Sequence, residues 1–301
     1  MEVIRNCDKM HPCALALGNF DGLHKAHIKI IKDCVVYAKA NKLKSGVFLF
    51  ENHTDEVCKG KKVELLTTLA EKISIIKSLG ADFIFVKHFD EETMNMNPLN
   101  FFSFLCERLL AKALFAGFDY TFGKGAKGDA KFLLQKGREY GVYVKISEEI
   151  KISDAPVKSN TVRVFIKNGE IEKANEYLGR RYFVSGAVSY GKQNGRRMGF
   201  PTANIDYDKN KLLPPDGVYR GVAKVEEKEY PALINIGKNP TFDAELRTVE
   251  AHLLNFTGDL YGKNITIEFD SKIRNEIKFN DIEELKEQIK RDIQNLINKE
   301  I

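Results

Sequence analysis

Ser185-Gly-Ala-Val-Ser-Tyr-Gly-Lys-Gln-Asn-Gly-Arg-Arg-Met-Gly-Phe-Pro-Thr-Ala-Asn204 gathers glycines, cations and oxygen donors into one short stretch. Gly186, Gly191, Gly195 and Gly199 let backbone N–H groups converge on phosphate oxygens without Cβ obstruction. Lys192, Arg196 and Arg197 add positive charge to the same loop. Pro201 then stiffens the entry to a short extended segment, in which Thr202 and Asn204 are two residues apart and project from one face of a strand. A hydroxyl and an amide oxygen there suit Mg²⁺, which takes hard oxygen ligands and keeps part of its water shell. The glycines alone fit a β-hairpin with basic surface residues; the Phe-Pro-Thr-Ala-Asn ending turns the reading toward a bound triphosphate.

Gly199 to Asn204 reads Gly-Phe-Pro-Thr-Ala-Asn, and in this the segment resembles the signature of the riboflavin kinase family. The resemblance continues in Gly217-Val-Tyr219, Asn235 to Phe242, Val249 to Leu254, Leu260-Tyr-Gly262 and Ile273 to Phe279, the last block preceding a charged helix. It implies ATP-dependent phosphorylation of the ribityl 5′-hydroxyl of riboflavin on a small antiparallel Greek-key barrel. Gly191, Lys192, Gly195, Arg196, Gly199 and Thr202 would then hold the phosphates of ATP, and Thr202 and Asn204 the Mg²⁺. Along Thr248 to Leu254, Val249, Ala251 and Leu253 alternate with Thr248, Glu250 and His252, so one face is apolar and the other carries the carboxylate. A lone glutamate on a strand is ordinarily just solvated. In the family the matching residue takes the proton of the attacking alcohol, which makes Glu250 the expected general base. Arg274 matches a family residue on a loop that closes over nucleotide and flavin, against the plain reading of a surface arginine before a helix.

The chain has 301 residues, a length that favours two domains, and 43% of them are apolar, enough for two cores. No apolar run approaches the roughly 20 residues that cross a bilayer. The N-terminus lacks a basic region followed by an apolar one, so the expectation is a cytoplasmic protein with no membrane partner. Cys7, Cys13, Cys34, Cys58 and Cys106 are scattered without metal-type spacing and fit reduced thiols. A net charge of +5 suits anionic ligands such as ATP but not the dense basic stripe of a nucleic-acid binder, so no nucleic-acid partner is expected. The oligomeric state is left open.

The first half alternates strands and helices. Strand-like runs at Ala14 to Leu17, Gly46 to Phe50, Asp82 to Val86, Ala113 to Ala116 and Val142 to Ile146 are separated by helical patterns. Ile28, Ile31, Val35 and Ala38 mark one helical face, and Leu66, Leu69, Ile73 and Ile76 another. Phe102, Leu105 and Leu109 mark a third, introduced by Asn97-Pro98 in cap and first-turn positions. This rhythm predicts a parallel sheet covered by helices, with ligands at the carboxyl ends of the strands. Thr161 to Leu178 reads as two short helices, and strand then follows strand. The expected architecture is α/β + β, with a Rossmann-like domain over residues 1–180 and a β-barrel domain with a C-terminal helix over residues 181–301.

Ala14 to Leu17 runs into Gly18-Asn-Phe-Asp-Gly-Leu-His-Lys-Ala-His27. Two histidines three apart at a helix start lie on one face, where exposed N–H groups already favour an anion. An imidazole there can donate to a phosphate oxygen as charge builds on it; a metal pair and plain surface histidines are the competing readings. The block resembles the nucleotidyltransferase signature of the bifunctional prokaryotic riboflavin kinase/FAD synthetases, with further matches at Phe50 to His53, Leu66-Thr67 and Gly117 to Gly125 with Gly128. The resemblance implies transfer of the adenylyl group of ATP to FMN with release of pyrophosphate. It places His24 and His27 in catalysis, Gly18, Asn19, Phe20, Asp21, Gly22, Ser159 and Arg163 on ATP, and Asp119, Phe122 and Gly123 on the flavin. FMN already carries an anionic phosphate, so this reaction needs alignment and charge stabilisation rather than a base. Two departures stand out: Ala26 occupies a glycine position, and Lys158-Ser159-Asn160 replaces a run of hydroxyl residues. The expected function is synthesis of FMN and then FAD. The alternatives are a riboflavin kinase with a weakened or inactive adenylyltransferase domain, or a flavin-sensing regulatory binding protein.

Overall fold

The computed structural model describes the chain except for residue 9 and residues 192–194, 196–197, 242–243 and 299–301. It forms two compact units, Met1–Ser159 and Asn160–Ile301. The sequence boundary near Arg180 lies further along the chain.

The first unit is a parallel sheet with helices between its strands. β1 (Glu2–Ile4), β2 (Cys13–Leu17), β3 (Lys44–Phe50), β4 (Phe83–Lys87), β5 (Ala111–Gly117) and β6 (Tyr143–Ser147) lie in the order β1-β4-β3-β2-β5-β6. The five predicted strands are present. β1 adds an edge that the sequence reading missed, because three residues with two exposed carry no apolar run. The chain leaves β2 toward β3 and β4, then returns to β5 on the other side of β2. The loops after β2 and β5 therefore flank a topological switch point, where open α/β sheets bind ligands. α1 (Lys25–Ala40) buries Ile30, Ile31, Cys34 and Ala38, so the buried stripe is rotated from the predicted Ile28 and Val35, which are only half-buried.

α2 (Thr54–Lys59) follows β3, and α3 (Leu69–Ser78) opens on a capping box in which Thr68 and Glu71 exchange hydrogen bonds. Leu66 is buried but precedes this helix. α4 (Glu91–Met94) leads to α5 (Pro98–Ser103), where Asn97 caps and Pro98 takes the first turn as expected. The predicted helix through Leu109 continues as a π-helical turn over Phe104–Arg108. α6 (Ala130–Tyr140) precedes β6, after which β7 (Lys151–Ile152) and β8 (Ala155–Pro156) form a short ribbon. All five cysteines are free thiols, and burial pushes that of Cys13 up to about 12.

The second unit opens with α7 (Ser159–Asn168), whose first residue still belongs to the first unit, and α8 (Ile171–Leu178). A closed barrel follows from β9 (Tyr182–Ser189), β10 (Ala203–Tyr207), β11 (Gly217–Val225), β12 (Lys228–Thr241), β13 (Ala244–Leu253) and β14 (Asn264–Arg274), in the order β10-β13-β12-β11-β14-β9. Every pairing is antiparallel, and β14 returns beside β11 to complete a Greek key. Val184, Ile205, Tyr219, Ile234, Ile236, Val249, Ala251, Ile267 and Phe269 fill the interior. α9 (Ile282–Asn298) ends the chain's described part against β12.

Candidate active sites

In the first unit, the chain leaves β2 through Gly18 to Leu23 in an unusual conformation. Phe20 and Leu23 have φ of 49° and 43°, values that cost of order 1–3 kcal/mol each and persist only where the surroundings over-determine them. The surroundings do. Asp21 Oδ1 accepts the backbone N–H groups of Leu66 and Thr67 at 3.0 and 3.2 Å, and Gly22 N–H donates to Thr67 Oγ1 at 2.9 Å. Ser159 Oγ donates to the Asp21 carbonyl at 2.7 Å. The buried pair Leu66-Thr67, noticed in the sequence as a short match, is thus the anchor of the loop.

His24 caps α1: its Nδ1 accepts the N–H of His27 at 3.4 Å, and the two rings stack with centroids 3.7 Å apart. In neutral His24 that acceptor role puts the proton on Nε2. Phe20 is fully buried and meets His27 edge-on at 5.2 Å. A cavity of about 660 Å³ opens beside them, lined by Gly18, Asn19, Asp21, His27, Asp119, Phe122, Gly123 and Ser159 among others. Eight expected site residues therefore meet in one space. Phe20, Gly22 and His24 are buried and not in its wall, and neither is Arg163, one turn beyond Ser159 on α7. Ala26 is the second residue of α1, also outside the wall. Lys158 stands 3.7 Å from Asp119 with its ammonium over the Phe118 ring.

Thr54, Phe89, Phe101 and Thr93 line the same cavity and were missed in the sequence. Thr54 accepts from Asn19 Nδ2 at 3.1 Å; the signal was its position directly after the Phe50 to His53 block, where His53 caps α2. The two phenylalanines look like ordinary core residues in one dimension.

In the second unit, Asn204 pairs with Glu250 across β10 and β13 and with Ser189 across β10 and β9. Val249 and Ala251 point into the barrel, so Glu250 projects from its outer face, as the alternation predicts. Thr202 Oγ1 donates to Glu250 Oε2 at 3.3 Å. The turn carrying Thr202 is tied to β13 by His252, whose Nδ1 donates to the Pro201 carbonyl at 2.8 Å and whose ring meets Phe200 edge-on. A cavity of about 560 Å³ is lined by Gly191, Thr202, Asn204, Asp259 and Tyr261, among others. Gly191 crosses so close that a Cβ would lie 2.2 Å from Asn204 Nδ2. Gly195 packs over Phe200 O and Thr202, and Gly199 turns with φ of 89°. Lys192 and Arg196 lie outside the described residues.

Arg274 is not in that wall. Its Nε and Nη2 donate to Asp292 Oδ2 of α9 at 2.9 and 2.8 Å, and Asp292 is buried. The segment after it returns over the barrel, with Glu276 packed where a Cβ on Gly237 would fall.

Comparison with known proteins reproduces this division. Residues 7–161 match the family described as FAD synthetase, and residues 178–299 the family described as riboflavin kinase. The chain is similar to the bifunctional riboflavin kinase/FMN adenylyltransferase of Bacillus subtilis (strain 168), 36% identical over 288 residues that cover 94% of this chain and 91% of that one. It is similar to the protein of the same description from Escherichia coli (strain K12), 34% identical over 93% of this chain and 90% of the other. In three dimensions it is similar to a Streptococcus pneumoniae crystal structure described as a macrolide-efflux protein, with a TM-score of 0.88, 27% identity and 98% of both chains covered. Among the described residues no helix is long and apolar enough to cross a membrane.

Proposed function

We infer that this chain, which belongs to the bifunctional riboflavin kinase/FMN adenylyltransferase family, makes FMN from riboflavin and then FAD from FMN, using ATP in each step. The observation that carries the kinase reading is the grouping of Thr202, Asn204 and Glu250 on one barrel face beside a cavity of about 560 Å³. Glu250 takes the proton of the ribityl 5′-hydroxyl as its oxygen bonds to the γ-phosphorus, and the bond to the β-phosphate oxygen breaks to release ADP. The hydroxyl of Thr202 holds the Glu250 carboxylate in place at 3.3 Å. Gly191 brings loop backbone against Asn204, where no side chain would fit.

These donors suit Mg²⁺: a hydroxyl and an amide oxygen are hard ligands, too few for a closed cage, so phosphate oxygens and water would complete the set. Thr202 and Asn204 would hold the ion, which when bound neutralises charge on the β- and γ-phosphates. Arg274, held by Asp292, starts the segment that covers the flavin.

In the first unit the phosphate oxygen of FMN bonds to the α-phosphorus of ATP and pyrophosphate leaves. His24 and His27 and the backbone N–H groups at the start of α1 stabilise charge on the α-phosphate, and Gly18, Asn19, Asp21 and Ser159 seat the nucleotide. Asp119, Phe122 and Gly123 receive the flavin. Ala26 in a helical position outside the cavity wall is compatible with an active site. ATP labelled in turn at the γ- and α-phosphorus tests the pair of reactions. The γ-label should enter FMN and the α-label only FAD; an α-label absent from every flavin product would remove the adenylyl-transfer half.

A further inference from the structure

Lys72, on the first turn of α3, is 7% exposed, and neither the nucleotide cavity nor the barrel site includes it. Its ammonium donates to the backbone carbonyl of Asn19 at 3.0 Å. Burial pushes this group below the usual lysine range, and the nearby Asp21 carboxylate pulls it partly back. A methionine or leucine would fill the same space without desolvating a charge, so the packing of α3 gives no reason for a lysine here.

The partner atom supplies the reason. Asn19 belongs to the loop that carries the strained Phe20 and Leu23, and its own side chain is directed to Thr54 across the cavity. Asp21 and Gly22 are pinned from the Leu66-Thr67 side and Asp21 O from Ser159, which fixes the second half of the loop. Lys72 fixes the first half: with the Asn19 carbonyl turned inward to the ammonium, the peptide between Asn19 and Phe20 has one orientation. That orientation determines where Asn19 sits in the cavity wall and how the chain enters α1 with His24 and His27.

We propose that Lys72 is a positioning residue for adenylyl transfer, gripping the Asn19 carbonyl from beneath and so holding the nucleotide loop in its binding-competent form. The proposal rests on the reading of this cavity as the adenylyl-transfer site. The full-length chain provides its own control, since riboflavin phosphorylation occurs on the other unit.

Lys72→Met removes the donor while keeping apolar volume, and Lys72→Gln keeps a donor without the charge. Steady-state FMN-to-FAD conversion against ATP concentration, riboflavin phosphorylation and melting temperature are measured on the same preparations. The expected result for Lys72→Met is an unchanged or higher melting temperature, normal riboflavin phosphorylation, and a KM for ATP in FAD synthesis raised by about tenfold or more, the scale of a misplaced binding group. Lys72→Gln should recover most of that loss. Wild-type kinetics in Lys72→Met, or equal losses in both variants with a fall in melting temperature, would overturn the proposal. A wild-type protein that makes no FAD would instead sink the adenylyl-transfer reading and the proposal with it, an outcome distinct from an active wild type matched by an active Lys72→Met.

Discussion

Glu250 and His24 carry opposite tests, because each is assigned to one reaction only. Glu250→Gln keeps the size of the side chain and an oxygen for Thr202 but removes the base. Riboflavin phosphorylation should slow by about 10²–10⁴-fold while conversion of supplied FMN to FAD is unchanged. Near-normal kinase turnover in this variant would mean that Glu250 is not the base. His24 caps α1 and is also assigned to the adenylyl-transfer site, and two substitutions separate the two roles. His24→Asn retains a good cap and should lose FAD synthesis with little change in melting temperature; His24→Ala should lose both, with about 1 kcal/mol of stability. Equal FAD synthesis in His24→Asn and wild type would confine His24 to capping. Short-range rules drew attention to both positions in the sequence, strict alternation around Glu250 and histidines three apart at a helix start, while the roles assigned to them come from the family resemblance. Lys72 was not legible, since its partner is a backbone carbonyl 53 positions away that carries no side-chain signature.

At the scale of elements, the sequence predicted five strands of the first unit, four of them buried with runs apolar on both faces and the fifth, β6, only partly covered. It failed where a period was broken. The helix drawn through Phe102, Leu105 and Leu109 changes to π-helical winding after Ser103, although the three residues stay buried. The stripe on α1 was misjudged because Ile28 and Val35 are as apolar as the residues that replace them, and only the sheet beneath decides which are covered. The loop between β9 and β10 yields a prediction of its own. Gly191→Ala would bring a methyl to 2.2 Å from the Asn204 amide, so one of the two must move. Riboflavin phosphorylation should need more Mg²⁺ to reach half its maximal rate, while FAD synthesis from FMN stays normal. An unchanged Mg²⁺ titration would remove Asn204 from the metal site.

For the whole molecule, the change of rhythm near Arg180 marks where strands begin, whereas the compact second unit starts at Asn160. The difference is α7 and α8; in α8, Ile171, Ala174, Tyr177 and Leu178 are buried and Asn175 bonds both the Phe269 carbonyl and the Tyr182 N–H. A short amphipathic helix before a barrel does not reveal in sequence which neighbour it covers. A fragment of residues 160–301 should therefore melt more than about 5 °C above one of residues 181–301, the shift expected when a helix's apolar contacts are lost from a domain of this size. Equal melting temperatures would mean that α7 and α8 add nothing to the barrel. One chain thus runs two successive transfers, phosphoryl transfer in the riboflavin kinase unit and adenylyl transfer in the FAD synthetase unit. The most direct test is a time course of the full-length protein with riboflavin, ATP and Mg²⁺, with the flavins separated by chromatography. FMN should appear first and FAD after it; FMN that accumulates without FAD, or riboflavin left unchanged, would rule out two successive transfers on this chain.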